Sequence, residues 1–310
     1  MILSISKEEQ ERVNPPQMYN AFFGFSESPF SLSPDPAFFY RSERHEEALA
    51  NLVYGVQARK GFIVLSGEVG TGKTTMLECL RDYLDANFIE FAFLFNSRIN
   101  VEQFFEMIAY DLDLPCARTS KTEVLFALNT LLVEQAQDGK TVVLIVDEAH
   151  NLEWEVLEEI RLLGNLENRN GKLLQIVLAG QPELDRKLDA PNLRQLKQRV
   201  VLRCNLSPFA LREAVEYIDS RMARVGMPDQ TVFSEELMSE IHLRTQGIPR
   251  VINGVCDNLL LTAFAMETKV CTVEMLDEVC RDMRLEWPGS RRTRMRAEAQ
   301  ESFERAPYKV

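Results

Sequence analysis

The chain has 310 residues, 45% of them hydrophobic, which is enough for one α/β domain with a sizeable core and a smaller second domain. Lys and Arg number 35 against 47 Asp and Glu, a net charge of −12, which excludes broad electrostatic wrapping around a polyanion and leaves room only for a local basic patch. Six scattered cysteines (Cys79, Cys116, Cys204, Cys256, Cys271 and Cys280) form no C-x-x-C pair and have no His at ligand spacing, so they read as buried free thiols in a reducing compartment.

Residues 1–17 are polar, end in Asn14-Pro15-Pro16 and read as a flexible leader; they lack the basic and apolar regions of a signal peptide. No apolar stretch reaches membrane-spanning length, and the expectation is a cytoplasmic chain without a membrane span. An aromatic segment follows, with Met18-Tyr19, Phe22-Phe23-Gly24-Phe25, Pro29-Phe30, Pro34-Asp35-Pro36 and Phe38-Phe39-Tyr40. So many aromatics must be buried, and the expectation is that they brace the first domain. A helical period at Ala48, Leu49, Leu52 and Val53 precedes the strand Phe62-Ile63-Val64-Leu65.

That strand runs into Gly67-Glu68-Val69-Gly70-Thr71-Gly72-Lys73-Thr74-Thr75 and then a helix marked by Met76, Leu77, Leu80 and Leu84. Strand, glycine loop and helix N-terminus together aim backbone N–H groups and the positive end of a helix dipole at phosphate oxygens. In this reading Lys73 reaches the β- and γ-phosphates, Thr74 ligates Mg²⁺ and Thr75 lies near the α-phosphate. The spacing predicts a bound nucleoside triphosphate.

Further strands are predicted at 88–95, 141–147, 173–179 and 200–204, with helices at 100–113, 121–137 and 154–168 between them. Strands alternating with helices imply a parallel sheet with right-handed crossovers. The β-branched run Thr141-Val142-Val143-Leu144-Ile145-Val146 has the character of a central strand and ends in Asp147-Glu148. Asp147 is placed to hold the Mg²⁺ that bridges the terminal phosphates, and Glu148 to act as general base toward the attacking water. From 207 only helical patterns remain, over 210–224, 234–245, 248–266 and 273–284. The boundaries are therefore a leader at 1–17, a nucleotide-binding domain at 18–206, a helical domain at 207–286 and an Arg-rich tail at 287–310.

An α/β P-loop domain with a RecA-like parallel sheet, followed by a helical lid, resembles the AAA+ architecture. The resemblance implies a polar sensor at Gln181 in Gly180-Gln181-Pro182-Glu183-Leu184 and an arginine finger at Arg199 in Gln198-Arg199-Val200. It also implies a second sensor at Arg250 in Gly247-Ile248-Pro249-Arg250, near the γ-phosphate. The aromatic segment, the phosphate loop, Asp147-Glu148-Ala149-His150-Asn151-Leu152 and the run Leu157–Glu167 are similar to the general secretion pathway protein A (ExeA-type) ATPases over about residues 18–280. His150 stands where that family usually has Gln. Larger members continue into a transmembrane segment and a peptidoglycan-binding domain, which this sequence does not show. It resembles instead the shorter relatives linked to type IV pili, exopolysaccharide export and transposition.

The resemblance implies ATP as the nucleotide, trans-acting hydrolysis in a homo-oligomeric ring or filament, and a protein partner in a cell-envelope assembly system. The alternative is a DNA-binding ATPase adaptor of the transposition-regulator type, with Arg98, Arg118 and Lys121 lining a basic inner groove. A third possibility is a switch ATPase that reports nucleotide state without mechanical work.

Overall fold

The computed structural model describes residues 17–95, 97–115, 120–169, 171–226 and 232–285. The leader up to residue 16, Cys116, Arg118 and the Arg-rich tail lie outside the described residues. The chain divides into two compact units, Pro34–Ser207 and a second assembled from the segments before Pro34 and after Ser207. The first helix, α1 (Gln17–Phe23), belongs to the second unit.

In the nucleotide unit, α2 (Glu43–Gln57) is N-capped by Ser42 and leads into β1 (Phe62–Gly67) and α3 (Lys73–Ala86). The order continues through β2 (Phe91–Leu94), α4 (Val101–Asp111), α5 (Lys121–Gln137) and β3 (Val142–Val146). Then come α6 (Trp154–Leu163), a small hairpin of β4 (Glu167–Asn168) and β5 (Gly171–Lys172), and β6 (Leu174–Gly180). The unit closes with α7 (Pro182–Leu188), α8 (Arg194–Lys197) and β7 (Val200–Leu206). The predicted helix at 154–168 thus stops five residues early and yields to the hairpin, where Leu173 N–H donates to the Leu166 carbonyl.

The sheet is parallel with strand order β2-β3-β6-β1-β7. Helices cover both faces, which explains why β1, β3 and β6 are continuous apolar runs without polar alternation. Val64, Leu94, Leu144 and Ile176 face a core built with Phe104, Leu128, Val156 and Ile160. Ile63, Leu65, Ile145 and Val177 face Leu52, Leu77, Leu80 and Leu84 on the other side. A polar side chain on β6 sits within this core. Gln175 is fully buried, accepts from Gly61 N–H at 2.7 Å and donates to Thr141 Oγ1 at 3.2 Å and to the Lys172 carbonyl at 2.9 Å, so its amide is satisfied.

The register sets the strand ends. Ser66 pairs with Gly180 and Val146 with Leu178, so β1, β3 and β6 finish at one edge of the sheet. The strand order reverses beside β1, and ligands of doubly wound sheets bind outside the carboxyl ends at such a point.

The second unit is helical, with α9 (Leu211–Arg224), α10 (Glu235–Thr245), α11 (Pro249–Ala265) and α12 (Val273–Asp282) joining α1. Ser234 and Thr272 cap α10 and α12 by accepting the Leu237 and Met275 N–H groups. The first half of the aromatic segment packs in this unit, which corrects the expectation that all of it braces the nucleotide domain. Tyr19 hydroxyl donates to Asp257, Arg221 Nη1 donates to the Pro29 carbonyl at 2.7 Å, and the Phe30 ring meets Phe233 edge-on at 5.8 Å. The segment goes where its polar tips find partners. Only the second half stays with the nucleotide unit, where Phe38 is buried and the Phe39 ring lies 5.9 Å from that of His45.

Gly247, which opens the predicted second-sensor motif, adopts φ +70, and a Cβ there would lie 2.1 Å from the Phe209 carbonyl oxygen. That carbonyl already accepts from His242 Nε2 at 3.0 Å, and Phe209 N–H donates to the Gly247 carbonyl at 2.8 Å. Left-handed strain costs an L-residue roughly 1–2 kcal/mol, and the clash adds to it. Gly247→Ala is expected to lower stability by about 2–4 kcal/mol in chemical denaturation, and a loss below about 0.5 kcal/mol would show that this turn relaxes freely.

Candidate active site

The phosphate loop leaves β1 at Gly67 and re-enters helix at Lys73. Gly72, at φ +98, is the N-cap of α3 and offers no side-chain acceptor to the first turn. The N–H groups of that turn therefore remain available to an anion. Thr71 closes the loop, its hydroxyl donating to the Glu68 carbonyl at 2.9 Å. Lys73 is buried, and its Nζ donates to the Gly67 carbonyl at 2.7 Å and the Glu68 carbonyl at 2.9 Å, so the ammonium lies inside the loop's curve. Burial pushes the Lys73 ammonium below its ordinary pKa, while the carboxylates of Glu148 and Asp147 act in the opposite direction.

Across the sheet edge, Asp147 follows β3, and its N–H still pairs with the Leu94 carbonyl at 2.9 Å. Its Oδ1 accepts from Glu148 N–H at 2.8 Å, and its Oδ2 accepts from Thr74 Oγ1 at 3.2 Å. Burial raises its pKa, opposed by the Glu148 N–H and the Thr74 hydroxyl. Glu148 has a left-handed backbone at φ +51, its carbonyl accepts from Ser97 Oγ at 2.6 Å, and its carboxylate is half-exposed. The residues expected to work together, Lys73, Thr74, Asp147 and Glu148, are therefore assembled from the start of α3 and the end of β3.

This donor set fits the groups the sequence implies. Adjacent oxygens on an octahedral ion with bonds of about 2.1 Å stand about 3 Å apart, close to the separation of Thr74 Oγ1 and Asp147 Oδ2. A buried ammonium beside an uncapped helix start suits a polyphosphate. Thr75 follows in the first turn of α3. Val69, at the loop tip, is exposed.

Gln181, the N-cap of α7, joins the cluster: its Nε2 lies 3.4 Å from Glu148 Oε2. Arg199 does not. It stands just before β7, and Val200 pairs with Phe62 at the start of β1, whereas the phosphate loop leaves at Gly67. At about 3.3 Å per residue this puts Arg199 on the order of 15 Å from its own loop, at the opposite edge. There Arg199 Nη1 donates to the Arg161 carbonyl at 2.7 Å. Arg250 belongs to the other unit, exposed in the first turn of α11. Lys121, one of the three basic groove candidates, is ion-paired with Glu159 at 2.7 Å.

Three neighbours of the site were not singled out as site residues from sequence. His45 is buried, with Nδ1 2.8 Å from Ser42 Oγ and Nε2 3.3 Å from the Thr71 carbonyl of the loop. His150 Nδ1 stands 3.3 Å from Glu148 Oε2. Lys187 Nζ donates to the carbonyls of His150, at 3.0 Å, and of Leu152. The sequence signals for the histidines were their rarity, three in the chain, and, for His150, its place where the resembled family usually has Gln.

Lys73→Ala removes the one ammonium inside the loop. Hydrogen bonds to charged groups are worth about 1.5–3 kcal/mol each, so losing those to two phosphates is expected to weaken nucleotide binding about 100-fold or more. Displacement of a fluorescent nucleotide measures this, and wild-type affinity would place the site elsewhere.

Residues 56–188 match the family model of the AAA domain. General secretion pathway protein A of Aeromonas hydrophila is 43% identical over 249 residues, which cover 80% of this chain and 45% of that protein. The chain thus spans less than half the length of this relative. Among solved structures, Cdc6p from Pyrobaculum aerophilum is similar with a TM-score of 0.63 at 20% identity, over 85% of this chain and 70% of its own. The Aeropyrum pernix ORC2 protein gives 0.60 at 16% identity, over 78% and 68%. The Thermotoga maritima RuvB Holliday junction branch migration motor gives 0.52 at 14%, over 78% and 69%. At these identities the solved structures speak for the fold alone. With the phosphate loop, the acidic pair and Gln181 at one sheet edge, and with 43% identity over 80% of this chain, the chain belongs to the AAA+ ATPases of the general secretion pathway protein A family.

Proposed function

We propose that this chain binds Mg²⁺-ATP and hydrolyses it at interfaces between like subunits, and that the cycle drives or regulates assembly of a cell-envelope system. The observation that carries the hydrolytic part is the cluster of Thr74, Asp147, Glu148 and Gln181, linked by contacts of 3.2 Å and 3.4 Å beside the buried Lys73. When bound, the ion would be held by Thr74 and Asp147 and would offset the charge of the terminal phosphates. Lys73 and the α3 N–H groups hold the phosphates, Thr74 and Asp147 supply oxygens toward the ion, and Gln181 and Glu148 face the attacking water. Glu148 takes a proton from that water as it attacks.

The position of Arg199 supports interface hydrolysis. At the edge opposite its own phosphate loop, it serves no phosphate within the same subunit, while a head-to-tail neighbour brings one to it. Arg250 is proposed as the second γ-phosphate sensor, on the strength of its place at the start of α11. The envelope role rests on the identity to the Aeromonas protein. No helix among the described residues is long and apolar enough to cross a membrane. A protein partner in that system is proposed on the strength of the same identity.

The test is ATP turnover per subunit as a function of protein concentration, with light scattering in parallel. Turnover is expected to rise as the oligomer forms and to show no salt-dependent stimulation by duplex DNA. Constant turnover down to the monomer would overturn the interface reading, and strong stimulation by DNA at low salt would favour the adaptor role. In cells, loss of secretion, piliation or polysaccharide export on Lys73→Ala tests the envelope assignment.

A further inference from the structure

The environment of Glu148 contains one group for which the hydrolytic scheme has no use. His150 sits in the single helical turn Ala149–Asn151 that follows the acidic pair. Its side chain is 12% exposed, while that of Glu148 is 39% exposed. A shielded ring thus stands behind an open carboxylate, with Nδ1 3.3 Å from Glu148 Oε2. Nδ1 also lies 3.4 Å from the backbone N–H of Gln181, whose own Nε2 reaches the same Oε2 at 3.4 Å. The backbone turn that carries the ring is held from behind. Lys187 Nζ, on the helix that Gln181 caps, donates to the His150 carbonyl at 3.0 Å and to the Leu152 carbonyl.

We infer that His150 is a positioning residue for the general base: its Nδ1 holds the Glu148 carboxylate in line with Gln181. This rests on the reading of Glu148 as the base given above. The chemistry follows from one nitrogen facing two partners. With hydrogen on Nδ1, the ring donates to Glu148; with hydrogen on Nε2, the bare Nδ1 accepts from the Gln181 N–H. It cannot do both. The neutral ring therefore has two arrangements, one that pins the base and one that pins the start of α7, and each exchanges one hydrogen bond for another. Glu148 needs such a holder. Its carboxylate is half-exposed and its backbone is left-handed, so without a side-chain partner it samples rotamers that face solvent. Gln181 alone cannot supply the constraint, because its amide is expected to contact the substrate.

Steady-state ATP hydrolysis by the full chain, at concentrations where the oligomer forms, tests this. His150→Phe keeps the ring's packing and removes Nδ1; His150→Ala serves if the larger ring does not fit. Misplacing a catalytic group by about 1 Å costs up to about 100-fold, so kcat is expected to fall about 10- to 100-fold. KM, nucleotide affinity and melting temperature should stay at wild-type values, because nothing that binds phosphate has moved. His150→Asn, whose amide nitrogen takes the place of Nδ1, should restore most of kcat. On a Glu148→Gln background, His150→Phe should cause no further loss, since its only route to the reaction is gone. Wild-type kcat in both His150→Phe and His150→Ala, with Glu148→Gln inactive, would overturn the positioning role and leave the base assignment standing. Full activity in Glu148→Gln as well would overturn the base itself. A loss that Asn does not restore, that appears in KM, or that adds to the Glu148→Gln defect would make His150 a structural residue and overturn the inference.

Discussion

Glu148→Gln is expected to bind nucleotide with wild-type affinity and to hydrolyse it about 10²- to 10⁴-fold more slowly, the range that a positioned general base contributes. The amide preserves the size of the side chain and its contact with Gln181, and removes only its capacity to take a proton. Binding survives because the groups that grip phosphate are Lys73 and the first turn of α3, which Glu148 does not touch by hydrogen bond. Asp147→Asn should behave differently: it weakens the oxygen pair shared with Thr74, so the Mg²⁺ concentration needed for half-maximal activity should rise. Single-turnover hydrolysis separates the two. Full turnover by Glu148→Gln would remove it from the chemistry.

Arg199→Ala should retain nucleotide binding and lose most hydrolysis, by up to about 10³- to 10⁵-fold, if the guanidinium acts on a neighbour's phosphates. The competing role is visible in the fold. Arg199 Nη1 bonds the Arg161 carbonyl near the end of α6, and losing that bond costs about 1 kcal/mol of stability without touching turnover. Mixing distinguishes the two. Arg199→Ala and Glu148→Gln subunits, each nearly inactive alone, should recover partial activity together, because a mixed assembly contains interfaces with an intact base on one side and an intact finger on the other. Absence of recovery despite co-assembly by light scattering would count against trans action and direct attention to Arg194 or to Arg203, which pairs with Asp185.

The sequence was most legible where one residue type has one use. The apolar runs of β1, β3 and β6 announced strands covered on both faces, and the glycine loop with Lys73 and Thr74 announced a phosphate site before any contact was known. Asp147 and Glu148 could be placed because they end such a run. The neighbours of Glu148 could not be found this way. Gln181 meets it only because β6 pairs with β3 in a register that sets Leu178 opposite Val146, which no spacing along the chain encodes, and His150 meets it through the single turn Ala149–Asn151. The aromatic segment failed for a different reason. Burial of Phe and Tyr rings is non-directional, so the sequence shows that they must be covered and not by what. The partners that settled the matter, Asp257 for Tyr19 and the Pro29 carbonyl for Arg221, are remote in sequence and individually unremarkable. Two-residue strands such as β4 and β5 carry no period at all.

The bond from Tyr19 to Asp257 joins positions 238 residues apart, that from Asn253 to the Ser31 carbonyl 222 apart, and that from Arg221 to the Pro29 carbonyl 192 apart. The helical unit is thus assembled from segments on either side of the nucleotide unit, which is inserted whole between them. A chain emerging from the ribosome delivers α1 and the Phe30 strap first, and these have nothing to pack on until α9 to α12 follow. The nucleotide unit, continuous from Pro34 to Ser207, has all of its strands well before then. Synthesis order therefore completes every strand of the sheet while the aromatic strap still lacks the helices it packs on.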